Sequence, residues 1–428
     1  MQRGFGRFAG KSKIRPSTTS GGGPGTGTGT GTGDGTYPPL PLRERTPFTV
    51  SPGMKCNDYS GMSCASGSSG QFTPSGDFMR WRGRREDMYG THSDNNQDAL
   101  ELWWARFDGY EYAKDLSIHF DVSIGLFGKD YSGVLPQETW KGAARGDYDA
   151  RWEATLLNGR NRLHTRIGPN GQPPKVFWRP AHEWNGNWYP WSASNYWLYS
   201  TNINGVNREA STKADVKAAW KRFRAIQKRV YPESFICCNV NRTGEGWSAT
   251  TDNPSGKWTD LYPDPVDVDV YGVDYYNWYN TIFTKAQWDA SLLERHSYDT
   301  PKGLDAHKAF ATQLGLPMSF SEWGGVSTAP GSTVNPDPTA SSPGDSPVFI
   351  EEFLKWQNAN AGTGPGQSLY ELYWNVWMAG GDQSGADDDK FHLWSDPTKS
   401  QPWGRPIPPV TKMVKSSFAY RNLVHAGL

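Results

Sequence analysis

The run KVFWRPAHEWNGNWYPW, residues 175–191, decides the architecture. Its first part is apolar and aromatic, which fits a strand buried on both faces. Asn185-Gly186 then marks a turn. Glu183 therefore stands where a buried strand opens into its loop, among Trp178, Trp184, Trp188, Tyr189 and Trp191. Seven further runs read as strands: 59–67, 77–83, 114–122, 234–240, 266–276, 317–322 and 368–377. Helical patterns lie between them. From Thr212 to Tyr231, Val216, Ala219, Trp220, Phe223, Ile226 and Val230 recur at helical spacing, and Thr212 with Asp215 forms a capping-box pair. Ser346-Pro347 opens another helix with Phe349, Phe353 and Trp356 on one stripe, and a last helix starts near Thr411. Strands alternating with helices imply parallel β-α units. Eight such units predict an α/β fold, a (β/α)8 TIM barrel over residues 48–428 with long loops at the C-terminal ends of its strands.

Residues 1–47 are of another kind. A basic segment is followed by GGGPGTGTGTGTGDG (21–35) and TYPPLPL, which predicts a flexible Gly/Thr-rich N-terminal extension. The N-terminus has no apolar core of the kind a secretory signal needs.

Composition narrows the function. Lys plus Arg balances Asp plus Glu at 44 each, so nothing favours nucleic acid or an anionic membrane surface. No apolar run is long enough to insert into a bilayer. The 21 Trp and 20 Tyr exceed the needs of a core, and aromatic faces match the C–H faces of sugars. Cys237 and Cys238 are adjacent in a strand and so point to opposite faces as buried apolar groups, while Cys56 and Cys64 are close enough to bridge a loop. Asp387-Asp388-Asp389 reads as a charged loop, because the spacing of a calcium site is absent. No metal or cofactor motif is present; the Gly-Thr repeat lacks the Lys-Ser/Thr of a phosphate loop.

Cleaving a glycosidic bond takes two carboxyl groups, one to protonate the leaving oxygen and one to attack or to activate water. Glu183 ends the fourth strand and Glu322, in PMSFSEWGG (317–325), ends the seventh. These ends face one another across a barrel mouth. Aromatic cover over Glu183 would raise its pKa, as a general acid requires. The plain alternative is a structural Glu183 paired with Arg179.

RPAHEWNGNWYPW resembles the acid/base motif of glycoside hydrolase family 26, clan A barrels typified by β-mannanases. The His182-Glu183 pair and Trp188, five residues on, carry the likeness. GDYDARWEATLLNG (146–159), VDVYGVDYY (268–276) and SFSEWGG resemble the helix before strand four, strand six and the nucleophile segment. The resemblance implies Glu183 as general acid/base and Glu322 as nucleophile of a retaining mechanism. His182 and Trp188 would line the subsite of the attacked sugar, and Tyr276, or its neighbour Tyr275, would hydrogen-bond Glu322. Arg179, Asn185, Trp191, Trp247, Trp278, Trp323 and Trp374 are further cleft candidates.

The expected activity is retaining hydrolysis of a polysaccharide, a β-mannan or a cell-envelope glycan, outside the producing cell. The rival is a non-catalytic carbohydrate-binding or structural tail protein on the same barrel. A basic segment on a Gly-Thr tether predicts an anchor in a larger assembly: a virion, with phage tail proteins as partners of residues 1–45.

Overall fold

The computed structural model describes residues 60–63, 88–92, 119–126, 137–164, 172–277, 282–325, 345–374, 393 and 414–426. Eight parallel strands run through them: β1 (Ser60–Ser63), β2 (Met88–His92), β3 (His119–Ile124), β4 (Val176–Pro180), β5 (Phe235–Asn241), β6 (Val270–Tyr276), β7 (Met318–Gly324) and β8 (Ser368–Trp374). Each pairs with its sequence neighbours, and β1 pairs with β8, so the sheet closes into an α/β barrel. The second strand differs from its expected position. It is Met88–His92, whereas 77–83 lies outside the described residues, as do the N-terminal extension, Cys56, Cys64, Trp278 and Asp387–Asp389.

Helices α1 (Trp140–Arg145) and α2 (Asp149–Gly159) join β3 to β4, and α3 (Lys213–Val230) joins β4 to β5. Helix α4 (Leu304–Leu314) precedes β7, α5 (Pro347–Ala359) joins β7 to β8, and α6 (Val414–Ala426) follows β8. Helix α3 keeps the expected stripe: Val216, Ala219, Trp220, Phe223, Ile226 and Val230 are buried, and the Thr212–Asp215 capping box is formed. Each large apolar side chain so buried contributes about 1.5–3 kcal/mol.

Among the described residues one connection breaks the β-α alternation. Between β5 and β6 the chain makes only the 3-10 turns Trp258–Leu261 and Pro265–Asp267. Gly244, Gly246, Pro254, Gly256, Pro263 and Pro265 explain this, since prolines and glycines at that density deny a helix its N–H donors and its backbone order. A groove of about 500 Å³ lies on that flank, between Lys217 of α3 and Phe310 and Gln313 of α4.

The barrel interior is layered. Met88, Phe177, Cys237, Val270, Tyr370 and Leu372 form an apolar floor. Strand alternation then brings Asp121, Arg179, Asn239 and Asp274 inward above it, and Asn241 and Tyr276 above those. Strand β7 departs from alternation. Its register slips against both neighbours, between Gly272/Asp274 of β6 and between Glu371/Tyr373 of β8. Such a bulge adds a residue to one strand and re-aims its side chains. Ser321 and Glu322, consecutive in sequence, thereby both make interior contacts.

Candidate active site

Glu183 sits on a constrained turn. Ala181 and Glu183 both adopt left-handed backbone, each at φ 51°, at a cost of order 1–3 kcal/mol per residue without glycine. Three backbone bonds hold the turn: Ala181 N–H to Ile124 O at 3.0 Å, Glu183 N–H to Asn239 O at 3.1 Å, and Gly186 N–H to Glu183 O at 2.9 Å. Gly186 is required, because a Cβ there would stand 2.5 Å from the Trp188 ring. That close approach lets Trp188 fold back, and its Nε1–H donates to Glu183 Oε2 at 2.9 Å. Asn241, at the end of β5, donates its side-chain amide to Oε1 at 2.7 Å.

Glu322 has different surroundings. Arg179 Nη1 donates to its Oε1 at 3.0 Å, and the Tyr276 hydroxyl donates to Oε2 at 2.7 Å. Arg179 is wholly buried; its Nε donates to Asp121 Oδ1 at 2.6 Å, and its Nη1 lies 3.5 Å from Asp274 Oδ2. Asp121 in turn accepts from Ser321 at 2.6 Å and from Tyr370 at 2.7 Å, and Asp274 accepts from the Asn239 amide at 2.9 Å. Burial opposes the charge on Arg179, but Asp121, Glu322 and Asp274 together hold its pKa well above the ordinary value.

The two glutamates are buried, at 8 % and 6 % exposure. Burial first, then the charge of Glu322, pushes the Glu183 pKa up to about 7, against the opposing pull of its two hydrogen bonds. Burial and Glu322 likewise keep the Tyr276 pKa high, so its hydroxyl remains a donor, and they raise that of Asp274. The site thus holds one carboxyl group favoured in its neutral form across the mouth from one set against a guanidinium.

The structure brings Glu183, Glu322, Trp188, Tyr276 and His182 together. His182 Nδ1 lies 2.5 Å from Ser123 Oγ, and its ring stands 4.7 Å from Tyr189. Other expected cleft residues are placed elsewhere. Arg179 pairs with Glu322 rather than with Glu183, and its zero exposure makes it a support beneath the mouth instead of a sugar contact. Asn185 is buried with its amide spent on the backbone of Asn241, and Trp247 Nε1 donates to Asn185 O. Trp191 is buried and donates to His182 O. Tyr275 and Trp323 point outward to α5, with the Trp323 ring 4.1 Å from Phe353. Trp374, by contrast, ends β8 on the inward alternation of Tyr370 and Leu372, so it keeps its expected place at the mouth, buried. Strand alternation explains Tyr275, since Tyr276 takes the inward position beside it.

Asp121, Ser123, Asn239 and Asn241 complete the site without having been singled out in the sequence. A signal existed: the polar residues of HFDVSI and CCNVN recur at every second position of otherwise apolar strands. Among the described residues no group of three or more His, Cys, Asp or Glu is placed to hold a metal ion, and no helix is long and apolar enough to cross a membrane.

No family model and no curated protein matches the sequence. Among solved structures the chain is similar to a GH26 β-mannanase from Bacteroides ovatus, BoMan26A, at 12 % identity over 86 % of this chain and 90 % of that one, with a TM-score of 0.46. A Cellulomonas fimi endo-β-1,4-mannanase double mutant shows 14 % identity over 86 % and 73 %, with a TM-score of 0.48. The hyperthermostable endo-1,4-β-D-mannanase of Thermotoga petrophila RKU-1 shows 12 % identity over 85 % and 99 %, with a TM-score of 0.43. At these scores and identities the reading of the site rests on its own geometry.

Proposed function

We propose that the protein is a retaining glycoside hydrolase acting on the β-glycosidic bonds of a polysaccharide, a β-mannan or a cell-envelope glycan. Glu183 is its general acid/base and Glu322 its nucleophile. The reading is carried by the opposed surroundings of two buried carboxyl groups at the ends of β4 and β7. Glu183 meets neutral donors, with its pKa raised to about 7, while Glu322 meets Arg179. Environments that push two carboxyl groups apart are the mark of an acid and a base in one site.

In the first step Glu183 gives its proton to the glycosidic oxygen as Glu322 attacks the anomeric carbon. The leaving sugar departs and a glycosyl ester forms on Glu322. In the second step Glu183, now ionised, takes a proton from water, whose oxygen attacks the same carbon and frees Glu322. Two displacements at one centre restore its configuration. Arg179 and Tyr276 fix the attacking carboxylate, so it need not reorganise as charge leaves it.

The test is reducing-sugar release from β-mannan, β-glucan, xylan and bacterial envelope glycans. Wild type cleaves one of them with the anomer retained in the first-formed product, and Glu322→Ala does not. With azide, Glu183→Ala recovers turnover of an activated glycoside and yields a β-glycosyl azide, whereas Glu322→Ala yields the α-azide. An inverted first product would overturn the nucleophile assignment, and binding without any release would favour the non-catalytic protein.

A further inference from the structure

Arg208 is the one buried arginine among the described residues whose guanidinium the protein leaves unmatched. The residue is 8 % exposed, and Nε, Nη1 and Nη2 are all buried without a hydrogen-bond partner. Three other partly or wholly buried arginines have a carboxylate: Arg179 has Asp121, Arg151 has Glu138 and Arg224 has Asp269. The neighbouring carboxylate, Glu209, is turned instead to Arg145 and Lys141. A guanidinium cannot shed its proton in a protein, so a buried one without an anion is costly.

Its position gives that cost a use. Arg208 lies on the segment between β4 and α3, the loop that also carries Glu183 and leaves the C-terminal end of the barrel. Its Cζ stands 5.4 Å from the Trp197 ring, and Tyr148 and Tyr196 belong to its surroundings. Trp197 Nε1 donates to Asn187 O at 2.8 Å, and Asn187 immediately precedes Trp188, the partner of Glu183. The loop after β3 meets this segment where Lys141 N–H donates to Ser211 Oγ. The residues flanking Arg208, Asn207 and Glu209, are exposed, so the segment that carries it runs along the surface. Tyr196 stands beside it at 48 % exposure, edge-on to Trp197 at 5.6 Å.

We propose that Arg208 anchors a subsite for a carboxylate-bearing sugar, a uronic acid unit, and that the polysaccharide is therefore acidic. A planar carboxylate accepts two parallel hydrogen bonds from the guanidinium, a match that a neutral sugar cannot make. Tyr196 supplies the ring face against which the pyranose packs. This inference deepens the glycosidase reading and takes its sugar ligand from it.

The experiment compares a uronate-containing polysaccharide with the same material after its carboxyl groups are reduced to alcohols. Wild type should show KM lower on the acidic form by about ten- to a hundredfold, the value of a hydrogen-bonded charge pair, with kcat little changed. Arg208→Gln should abolish that preference. Carboxyl reduction needs no variant, so a folding defect in Arg208→Gln leaves the first comparison intact, and Arg208→Met supplies a second variant. Equal KM on both forms, or a preference that survives Arg208→Gln, would overturn the inference. Binding to Glu322→Ala, measured by calorimetry with acidic and carboxyl-reduced oligosaccharides, separates the two readings. Carboxyl-dependent binding without hydrolysis by wild type keeps the subsite and sinks the hydrolase. Hydrolysis with no carboxyl dependence does the reverse, and no binding to either form sinks the subsite.

Discussion

Replacing Asn241 by Ala should move the alkaline limb of the pH–rate profile upward. The Asn241 amide donates to Glu183 Oε1 at 2.7 Å and so favours the ionised form of that carboxyl. A hydrogen bond to a charged group is worth about 1.5–3 kcal/mol, and one pKa unit corresponds to about 1.4 kcal/mol. The whole bond thus amounts to about one to two units. Asn241 is half-buried, and water entering its place returns part of this, so the lower end applies. Glu183 should pass from about 7 to about one unit higher. Its protonated, working form then persists to higher pH. The measurement is kcat/KM on the polysaccharide that wild type cleaves, across the full pH range, with the acid limb expected to stay in place. An alkaline limb that stays where it was, or falls, would refute Glu183 as the acid that sets it.

Three further outcomes follow from the same contacts. Glu183→Gln should stabilise the protein at pH 8 and leave it unchanged near pH 4: between about 4.5 and 7 the folded state keeps a proton that the unfolded state releases, so wild-type stability falls as pH rises through that window, by roughly 3 kcal/mol at most; thermal melts at the two pH values check it. Tyr276→Phe removes the 2.7 Å bond to Glu322 and should lower kcat about ten- to a hundredfold at similar KM in steady-state kinetics. Arg179→Met strands Asp121, Asp274 and Glu322 around an apolar side chain, and denaturant titration should show a loss of about 3–5 kcal/mol.

The strand ends that carry Glu183 and Glu322 were legible because buried parallel strands announce themselves as apolar runs and the loops that follow them as Gly, Asn and Trp. What stayed hidden depended on register. The bulge in β7 leaves SFSEWGG looking like any alternating strand, yet it decides that Ser321 and Glu322 both face inward. The same blindness put Trp323 and Tyr275 in the cleft, because aromatic residues beside a carboxylate look alike on either face of a strand. Arg179 was visible as a charge in an apolar strand, but the partner the sequence offered for it, as the alternative to a cleft role, was the near glutamate. The pairing across the barrel exists only once the sheet closes. The missing helix between β5 and β6 departs from the eight expected β-α units, although the prolines and glycines that prevent it stand in the sequence.

Cys237 and Cys238 give the barrel two built-in reporters of its own opening. Both thiols are wholly buried, and burial pushes the pKa of Cys237 up to about 12 and raises that of Cys238 well above the ordinary thiol value, so neither reacts while the fold is closed. They are adjacent on β5 yet occupy different layers: Cys237 lies in the interior floor, 3.3 Å from Ser319 Oγ, while Cys238 lies under Trp184 in the shell between strands and helices. Alkylation under weakly denaturing conditions, read residue by residue in a mass spectrometer, therefore times the loosening of the outer shell and of the barrel's centre separately. Equal labelling rates would mean that both layers open in one cooperative event; earlier labelling of Cys238 would mean that the helices lift away before the strands part.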